Sequence, residues 1–332
     1  MIAQGQSIAK APNPRAPDMA ACLPGLITGL NRDWLTLEVE LNCGASPIAP
    51  ISFRNLGPVE AQASLKKIGI APILPPSPGD PVIISGFDPE PGLNLAPVLW
   101  EDQRSTLEAG LQLVTRLFPG KPILLALPHG VRPLSSCDCA PLHLRLKYPK
   151  TLPAFLKKSL IKSYDPLAKG LISSRKLHLL GQAMRSGKTP VAYPMTIGRL
   201  RAQVPSGLSP KKLFSLVNLE AREKSRALLG GPMRGVVTAQ LERGLAGEVE
   251  AIFLINSSEI GIGSCIYCAR CRSSCPLGLP VDKIGAAPMH LWQDILKANP
   301  LLASCPACGL CALACPSHLP LSSLRSGSGS NE

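Results

Sequence analysis

Two stretches near the C-terminus share one cysteine pattern: CIYCARCRSSCP at residues 265–276 and CPACGLCALACP at residues 305–316. In both, two residues separate the first three cysteines from one another, three residues precede the fourth, and a proline follows it. This spacing turns three successive thiolates around one cube of iron and sulfide, whereas the longer third gap carries the fourth thiolate to another cluster. The repeat therefore predicts a domain that binds two 4Fe-4S clusters.

The longer third gap also predicts which cysteines share a cluster, because the fourth cysteine of each stretch would serve the cluster of the other. The ligands predicted for cluster 1 are Cys265, Cys268, Cys271 and Cys315. The ligands predicted for cluster 2 are Cys305, Cys308, Cys311 and Cys275. No catalytic residue is predicted, since the sequence shows neither a nucleophile triad nor a pair of carboxylates.

Zinc is the alternative metal for paired C-x2-C units, because it also binds thiolates. A zinc ion takes four ligands, and three evenly spaced cysteines followed by Cys-Pro, present twice, fit that number poorly. The other four of the twelve cysteines are Cys22, Cys43, Cys137 and Cys139. Cys137-x-Cys139 with His143, together with Cys22 or Cys43, is a weak candidate for a further metal site, and ordinary thiols are the preferred interpretation.

The composition is that of a protein with buried cores, since 45% of the 332 residues are apolar. No apolar run approaches the roughly 20 residues that a membrane-spanning helix needs. The N-terminus shows no basic region followed by an apolar run, so we expect no secretory signal. We therefore expect a cytoplasmic protein. Because the cytosol keeps thiols reduced, its twelve cysteines favour metal ligands over disulfides.

The positive charge is concentrated in one part of the chain, whose formal net charge is +13. Between Arg145 and Lys188, eleven Lys and Arg residues accompany one acidic residue, Asp165. This stretch is either a solvated surface or a docking face for an acidic redox protein or anionic lipid headgroups. The side chains predicted to form such a face are Lys157, Lys158, Lys162, Arg175 and Lys176. Nucleic acid is not expected as a partner, because the stretch has few aromatic residues and no known nucleic-acid motif.

Hydrophobic patterning indicates an α/β architecture. An apolar strand at residues 81–85, a helix at 104–118 and a second apolar strand at 122–127 predict a parallel sheet with crossover helices. Strands at 191–197, 201–204 and 251–255, with a helix capped by Ser209, predict a small β-grasp-type module. Residues 1–20 are expected to be loose, and the alternation over residues 26–42 predicts a strand.

Beyond the cysteines, several segments resemble the RnfC family, the iron–sulfur components of the Rnf electron-transport complex, whose relatives include flavin-dependent cobalamin reductases. The two cysteine stretches carry most of this resemblance. Shorter segments that resemble the family are KKIGI (66–70), SGFDPEP (85–91), LKYP (146–149) and LGGPMRG (229–235). The resemblance covers about residues 55–325, and it implies electron transfer within a membrane-associated oxidoreductase complex.

The chain departs from this family where the family binds FMN and NADH. The family follows its KIGI-like segment with a glycine-rich loop, and here APILPP occupies residues 71–76. Glycine loops present backbone N–H groups to phosphate, whereas prolines remove N–H groups and fix φ. Residues 88–91 and 150–153 also depart from the acidic cysteine run and the GGE segment of the family. We therefore expect FMN and NAD(H) to be absent.

The fold class expected is multidomain α/β, with a degenerate nucleotide-binding-type α/β domain, a small β-grasp-like domain and a helical dicluster ferredoxin domain. The predicted boundaries are an N-terminal β-rich segment at 1–55, the degenerate flavin/NADH-binding-type domain at 56–186, the β-grasp-like (SLBB-type) domain at 187–258, the dicluster domain at 259–325 and a disordered tail at 326–332.

These observations predict an iron–sulfur electron-transfer subunit without bond chemistry of its own. Its expected partners are a membrane oxidoreductase complex and an acidic soluble electron carrier, and it would be cytoplasmic or peripheral on the cytoplasmic face of the inner membrane. The first alternative is a flavin-dependent NADH oxidoreductase or cobalamin reductase of the same family. The second is a non-catalytic interaction protein whose clusters are structural.

Overall fold

The computed structural model describes residues 3, 6–11, 16–21, 25–30, 35–39, 49–135, 139–222, 224–245, 247–256 and 262–321. The predictions made for Cys22, Cys43, Cys137 and the tail at 326–332 lie outside these ranges.

Two short pairs of antiparallel strands form the N-terminal segment. They are β1 (Ser7–Ala9) with β2 (Met19–Ala20), and β3 (Gly25–Leu30) with β4 (Leu35–Val39). The backbone N–H of Asp18, next to β2, donates to the carbonyl of Lys66. The Asp18 carboxylate also forms an ion pair of 3.6 Å with the Lys66 ammonium group. The expectation of a loose segment over residues 1–20 is therefore wrong for its described part. The single strand expected over 26–42 is also wrong, because β3 and β4 are separate strands that pair with each other.

A four-stranded sheet and five helices follow. The helices are α1 (Pro58–Lys67), α2 (Leu95–Asp102), α3 (Arg104–Leu117), α4 (Pro153–Ile161) and α5 (Ser174–Ser186), and a 3-10 turn at Phe53–Asn55 precedes them. The strands are β5 (Val82–Ser85), β6 (Ile123–Pro128), β7 (Ala140–Leu144) and β8 (Leu171–Ser173). The sheet order is β7-β6-β5-β8, and every neighbouring pair is parallel. This confirms the predicted α/β architecture with a parallel sheet.

Helices cover both faces of this sheet at its central strands, which is why β5 and β6 are almost entirely apolar. Ile84 and Leu125 belong to the main core with α1, α3 and α5, whereas Ile83 packs against Leu156 of α4 on the other face. Two glycines let α3 and α5 cross closely. A Cβ added at Gly110 or Gly181 would collide with backbone carbonyl groups of the facing helix.

A second, mixed sheet contains β9 (Ala192–Ile197), β10 (Leu200–Pro205), β11 (Arg226–Leu229), β12 (Val236–Thr238) and β13 (Ala251–Ile255). Its order is β10-β9-β13-β11-β12, with β9 and β13 parallel and the other pairs antiparallel. Helix α6 (Pro210–Leu216) begins as predicted, because the Ser209 side chain accepts from the N–H of Lys212. The first and last strands of this unit are central and parallel, as a β-grasp-like module requires; that assignment stays a prediction.

The cysteine region consists of short helices around a small apolar core. The helices are α7 (Arg270–Ser273), α8 (Asp282–Gly285), α9 (Trp292–Ala298), α10 (Pro300–Ala303) and α11 (Leu310–Leu313), with a 3-10 turn at Met289–Leu291. The helical character expected of this region is thus present. The buried side chains of the core are Leu279, Val281, Ile284, Trp292, Leu302, Leu319 and Leu321. Within the described ranges, no helix combines the length and apolar character needed to cross a bilayer.

Candidate metal centre

The structure gathers the eight cysteines of the repeat into two sets around separate cavities. The outer cysteine set is Cys265, Cys268, Cys271 and Cys315. The inner cysteine set is Cys275, Cys305, Cys308 and Cys311. Each set takes three cysteines from one stretch and the fourth from the other, which is the grouping that the third gap predicts. That these sulfurs bind iron stays a prediction.

The two stretches adopt the same backbone conformation, although they lie forty residues apart in the sequence. The N–H of Tyr267 points at the Cys265 sulfur at 3.4 Å, and the N–H of Ala307 points at the Cys305 sulfur at 3.3 Å. The left-handed positions also correspond, and the pairs are Tyr267 with Ala307, Ala269 with Gly309, and Gly278 with His318. Each loop thus turns its N–H groups toward its own sulfurs, as iron–sulfur sites do to stabilise their charge.

The inner set is a poor environment for free thiolates. Burial, followed by the proximity of Cys305 and Cys308, raises the pKa of Cys311 to about 12. Burial also raises the pKa of Cys308, and Cys305 and Cys275 add to it. Closely spaced sulfurs in an apolar cavity carry charge stably only when a cation compensates it. This donor set therefore fits a positively charged iron core.

A mononuclear site is not formed by these side chains. Across the described residues, no three His, Cys, Asp or Glu side chains surround one point closely enough to hold a single metal ion. A zinc ion would require sulfurs about 2.3 Å from its centre, whereas a cube of four irons separates the sulfurs that bind its corners. Metal analysis decides between zinc and iron–sulfur clusters at these eight thiols.

The inner set is attached to the α/β part of the chain. Tyr148 follows β7, and its hydroxyl donates to the backbone carbonyl of Cys308. The Tyr164 hydroxyl donates to the carbonyl of Ser304 at 2.5 Å. The loop of the inner set also packs so closely that a Cβ at Gly309 would collide with the carbonyl oxygen of Met233. Three contacts from distant parts of the sequence thus hold this loop.

Glu90 holds the segment that carries Met233. Its carboxylate accepts from the N–H groups of Met233 at 2.9 Å and Arg234 at 3.1 Å. Burial raises the pKa of Glu90, and these two hydrogen bonds oppose the shift. Glu90 follows β5 and Tyr148 follows β7, so the carboxyl end of the parallel sheet supports the inner loop. Sequence reasoning noted these segments only for their family resemblance and missed this contact.

Asp88 serves the fold in the same segment. Its Oδ1 accepts from the N–H groups of Leu95 at 3.1 Å and Ala96 at 2.9 Å, at the start of α2. Burial raises the pKa of Asp88 to about 6. The acidic residues of the SGFDPEP segment are therefore occupied by backbone hydrogen bonds.

Three of the five cations predicted to form a basic docking face point inward. Lys157 is 1% exposed and pairs with Asp80 at 3.1 Å and Asp165 at 3.4 Å. Arg175 is buried and donates to the carbonyl of Pro194 at 3.0 Å. Lys176 donates to the carbonyl of Ala71. The prediction is wrong for these three cations, because each is directed inward to acceptors; of the five, Lys158 and Lys162 are exposed.

A cavity of about 510 Å³ lies beside Gly69, Ile70 and Ala71, the segment that resembles the start of a flavin loop. Its charged lining consists of Arg175, Lys176, Asp18, Glu248 and Glu250. Three carboxylates face two cations that are already hydrogen-bonded to backbone carbonyls. Carboxylates in this lining repel a phosphate group.

Cys139 and His143, the weak candidates for a further metal site, have other partners in the structure. Cys139 is disulfide-bonded, so the preference for an ordinary thiol is wrong at this position and its sulfur is not a thiolate ligand. The Nε2 atom of His143 lies 2.9 Å from the carbonyl oxygen of Val131. Among the described residues, neither side chain belongs to a group of three His, Cys, Asp or Glu that could hold a metal ion.

The geometry agrees with a comparison against protein families. Residues 264–319 match the family model of the 4Fe-4S dicluster domain. The C-terminal region is therefore similar to an iron–sulfur domain over these residues. Among curated proteins, none matches the chain.

Similar solved structures include two crystal structures of NAD+-reducing NiFe hydrogenase, in the air-oxidized and the H2-reduced state. Sequence identity is 15% with a TM-score of 0.45 for the first, and 13% with a TM-score of 0.46 for the second. The similarity covers 74% of this chain in both, and 54% and 57% of the hydrogenase chains. The chain thus spans little more than half the length of those hydrogenase chains.

Proposed function

We propose that this protein is an electron-transfer subunit that passes single electrons between redox partners through two 4Fe-4S clusters. The outer cysteine set would hold cluster 1 and the inner cysteine set cluster 2. The observation that carries the proposal is the arrangement of eight cysteines as two interleaved sets of four, inside the region that matches the dicluster domain. When bound, such clusters supply reversible one-electron chemistry whose potential depends on hydrogen bonding and solvent exposure.

The chain itself would control that environment at each set. Backbone N–H groups of the two loops point at cysteine sulfurs, and the apolar side chains of Val281, Ile284 and Leu302 line the inner cavity and exclude water. Tyr148 and Tyr164 fix the inner loop against the sheet edge. Cys308 of the inner set is buried, whereas Cys268 of the outer set is exposed, and the other six cysteines are partly buried.

The finer assignment is an RnfC-like component, associated with a membrane oxidoreductase complex on the cytoplasmic side. This assignment is supported by contacts between the segments that resemble the RnfC family. Glu90 binds the segment containing Met233, and Tyr148 contacts the inner loop. We propose that FMN and NAD(H) play no part, since the cavity beside Ala71 has an acidic lining.

A potentiometric titration of anaerobically purified protein tests the proposed function. We expect reversible bleaching of the visible iron–sulfur absorbance, with about one electron taken up for each cluster. The denatured protein should release no flavin. Stoichiometric flavin would favour the flavin-dependent NADH oxidoreductase or cobalamin reductase. Clusters that resist reversible reduction would favour the interaction protein with structural clusters.

A further inference from the structure

The two cysteine loops have the same backbone but different side chains, and the difference indicates what each loop faces. In the inner loop, residues 305–311, the positions between the cysteines hold small or apolar residues: Pro306, Ala307, Gly309 and Leu310. Gly309 is buried against Met233, and Cys308 accepts from Tyr148. The small side chains of the inner loop thus allow it to pack against another part of the same chain.

The outer loop, residues 265–271, holds large residues at three of the four equivalent positions, namely Ile266, Tyr267 and Arg270. It packs against no comparable surface among the described residues. Ile266 is 64% exposed and Tyr267 is 77% exposed, and both line the cavity of the outer set. Tyr267 is held in the left-handed conformation at φ 56°, which its partner position Ala307 shares. Exposed apolar side chains around a ligand loop are typical of an interaction surface.

Cations surround this apolar centre. Arg270, at the start of α7, is exposed, and Lys283 lines the same cavity as Ile266 and Tyr267. Among the described residues 262–321, the two acids are already paired, Asp282 with Arg272 at 3.6 Å and Asp294 with Lys297 at 3.6 Å. Neither Arg270 nor Lys283 has an acidic partner in the described part of the chain, so both cations are available to a docked protein.

We infer that the outer loop, with Ile266 and Tyr267 at its centre and Arg270 and Lys283 at its rim, is the docking face for a small acidic electron-carrier protein. This inference rests on the proposed function, and the docking face does not include Lys158 or Lys162. In the productive direction, one electron leaves the reduced carrier and enters the chain at the exposed outer set. The carrier is oxidised by one electron, the chain is reduced by one, and no bond forms or breaks.

The test uses a plant-type 2Fe-2S ferredoxin as the acidic probe and three variants of the full chain. Arg270→Glu/Lys283→Glu reverses the rim charges, and Ile266→Ser removes the apolar centre. Lys158→Glu/Lys162→Glu is the charge-matched control at two exposed lysines outside the cysteine region. Iron content and the cluster spectra of each variant are measured first, so that a variant with a damaged site is recognised and replaced by Arg270→Gln/Lys283→Gln.

We expect the rim reversal to slow reduction by ferredoxin at least tenfold at low salt, because complementary charge accelerates encounter by about 10- to 1,000-fold. The difference should shrink near 1 M salt, where the Debye length is about 3 Å. Ile266→Ser should weaken binding of oxidised ferredoxin in calorimetry at every salt concentration, since its effect is apolar. The control should behave as the unaltered chain.

Equal rates for the rim reversal and the unaltered chain would overturn the inference, and so would a slow control beside a normal rim variant. Calorimetry with oxidised ferredoxin involves no electron flow, so it decides the docking question even for a chain whose clusters resist reduction. A chain that binds ferredoxin at this face but cannot be reduced would instead contradict the proposed function.

Discussion

Replacing Cys275 with serine is expected to alter the same paramagnetic signal as replacing Cys308, and to leave intact the signal that depends on Cys268. Cys275 precedes Cys305 by thirty residues, yet it shares a cavity with Cys305, Cys308 and Cys311. Serine keeps the approximate size of the side chain but replaces a soft thiolate with a much poorer iron ligand. Each substitution should therefore perturb only the cluster that its set would hold.

The measurement compares electron paramagnetic resonance spectra of the three single variants, reduced in the same way. Cys315→Ser is the matched fourth variant, since it should pair with Cys268→Ser. If Cys275→Ser instead paired with Cys268→Ser, each stretch would form a self-contained site and the crosswise wiring would be wrong.

Gly309→Ala is expected to destabilise the inner set, whereas Gly278→Ala should have a much smaller effect. Both glycines have positive φ, 76° and 64°, so an added Cβ costs about 1–2 kcal/mol of backbone strain at each. Only at Gly309 would it also collide with a neighbour, the Met233 carbonyl, because nothing lies within 4 Å of a Cβ at Gly278. Overpacking adds about 1–3 kcal/mol to the free-energy cost at Gly309 alone.

Thermal unfolding and the rate of iron loss to a chelator provide the two measurements. The conformation itself tolerates alanine, since Ala269 occupies the equivalent position of the outer loop at φ 56°. In Gly309→Ala, we expect the iron of the inner set, about half of the total, to be lost to the chelator faster than in the unaltered chain. Identical behaviour of the two variants would show that the contact with Met233 does not hold the inner loop.

The sequence predicted the grouping of the cysteines because that information is local. Three residues rather than two before Cys275 and Cys315 are enough to direct each sulfur to the other set. The parallel sheet was predictable for the same reason, since Val82, Ile83 and Ile84 form the continuous apolar run of a strand buried on both faces.

The attachment of the inner loop could not be predicted, because it depends on long-range contacts. Tyr148 is 160 residues from Cys308, and Tyr164 is 140 residues from Ser304. No local pattern distinguishes these tyrosines from others that pack in a core. Family resemblance marked the neighbourhood of Tyr148 and Glu90 but not what these residues contact.

The prediction of a basic docking face was wrong for Lys157, Arg175 and Lys176, because a count of charges does not show which way a side chain points. Charged residues are rarely buried unless they are paired, and Lys157 is paired with Asp80, a residue 77 positions earlier in the sequence. Arg175 and Lys176 likewise donate hydrogen bonds to backbone carbonyls of other segments. Each of these acceptors becomes a neighbour only when the chain folds.

Iron and acid-labile sulfide analysis of the anaerobically purified chain tests the central claim, that the two cysteine sets hold two 4Fe-4S clusters. We predict about eight irons and about eight sulfides per chain, with zinc far below one equivalent. Loss of about four irons in Cys308→Ser would assign half of the metal to the inner set. About four irons together with stoichiometric zinc in the unaltered chain would contradict the two-cluster assignment.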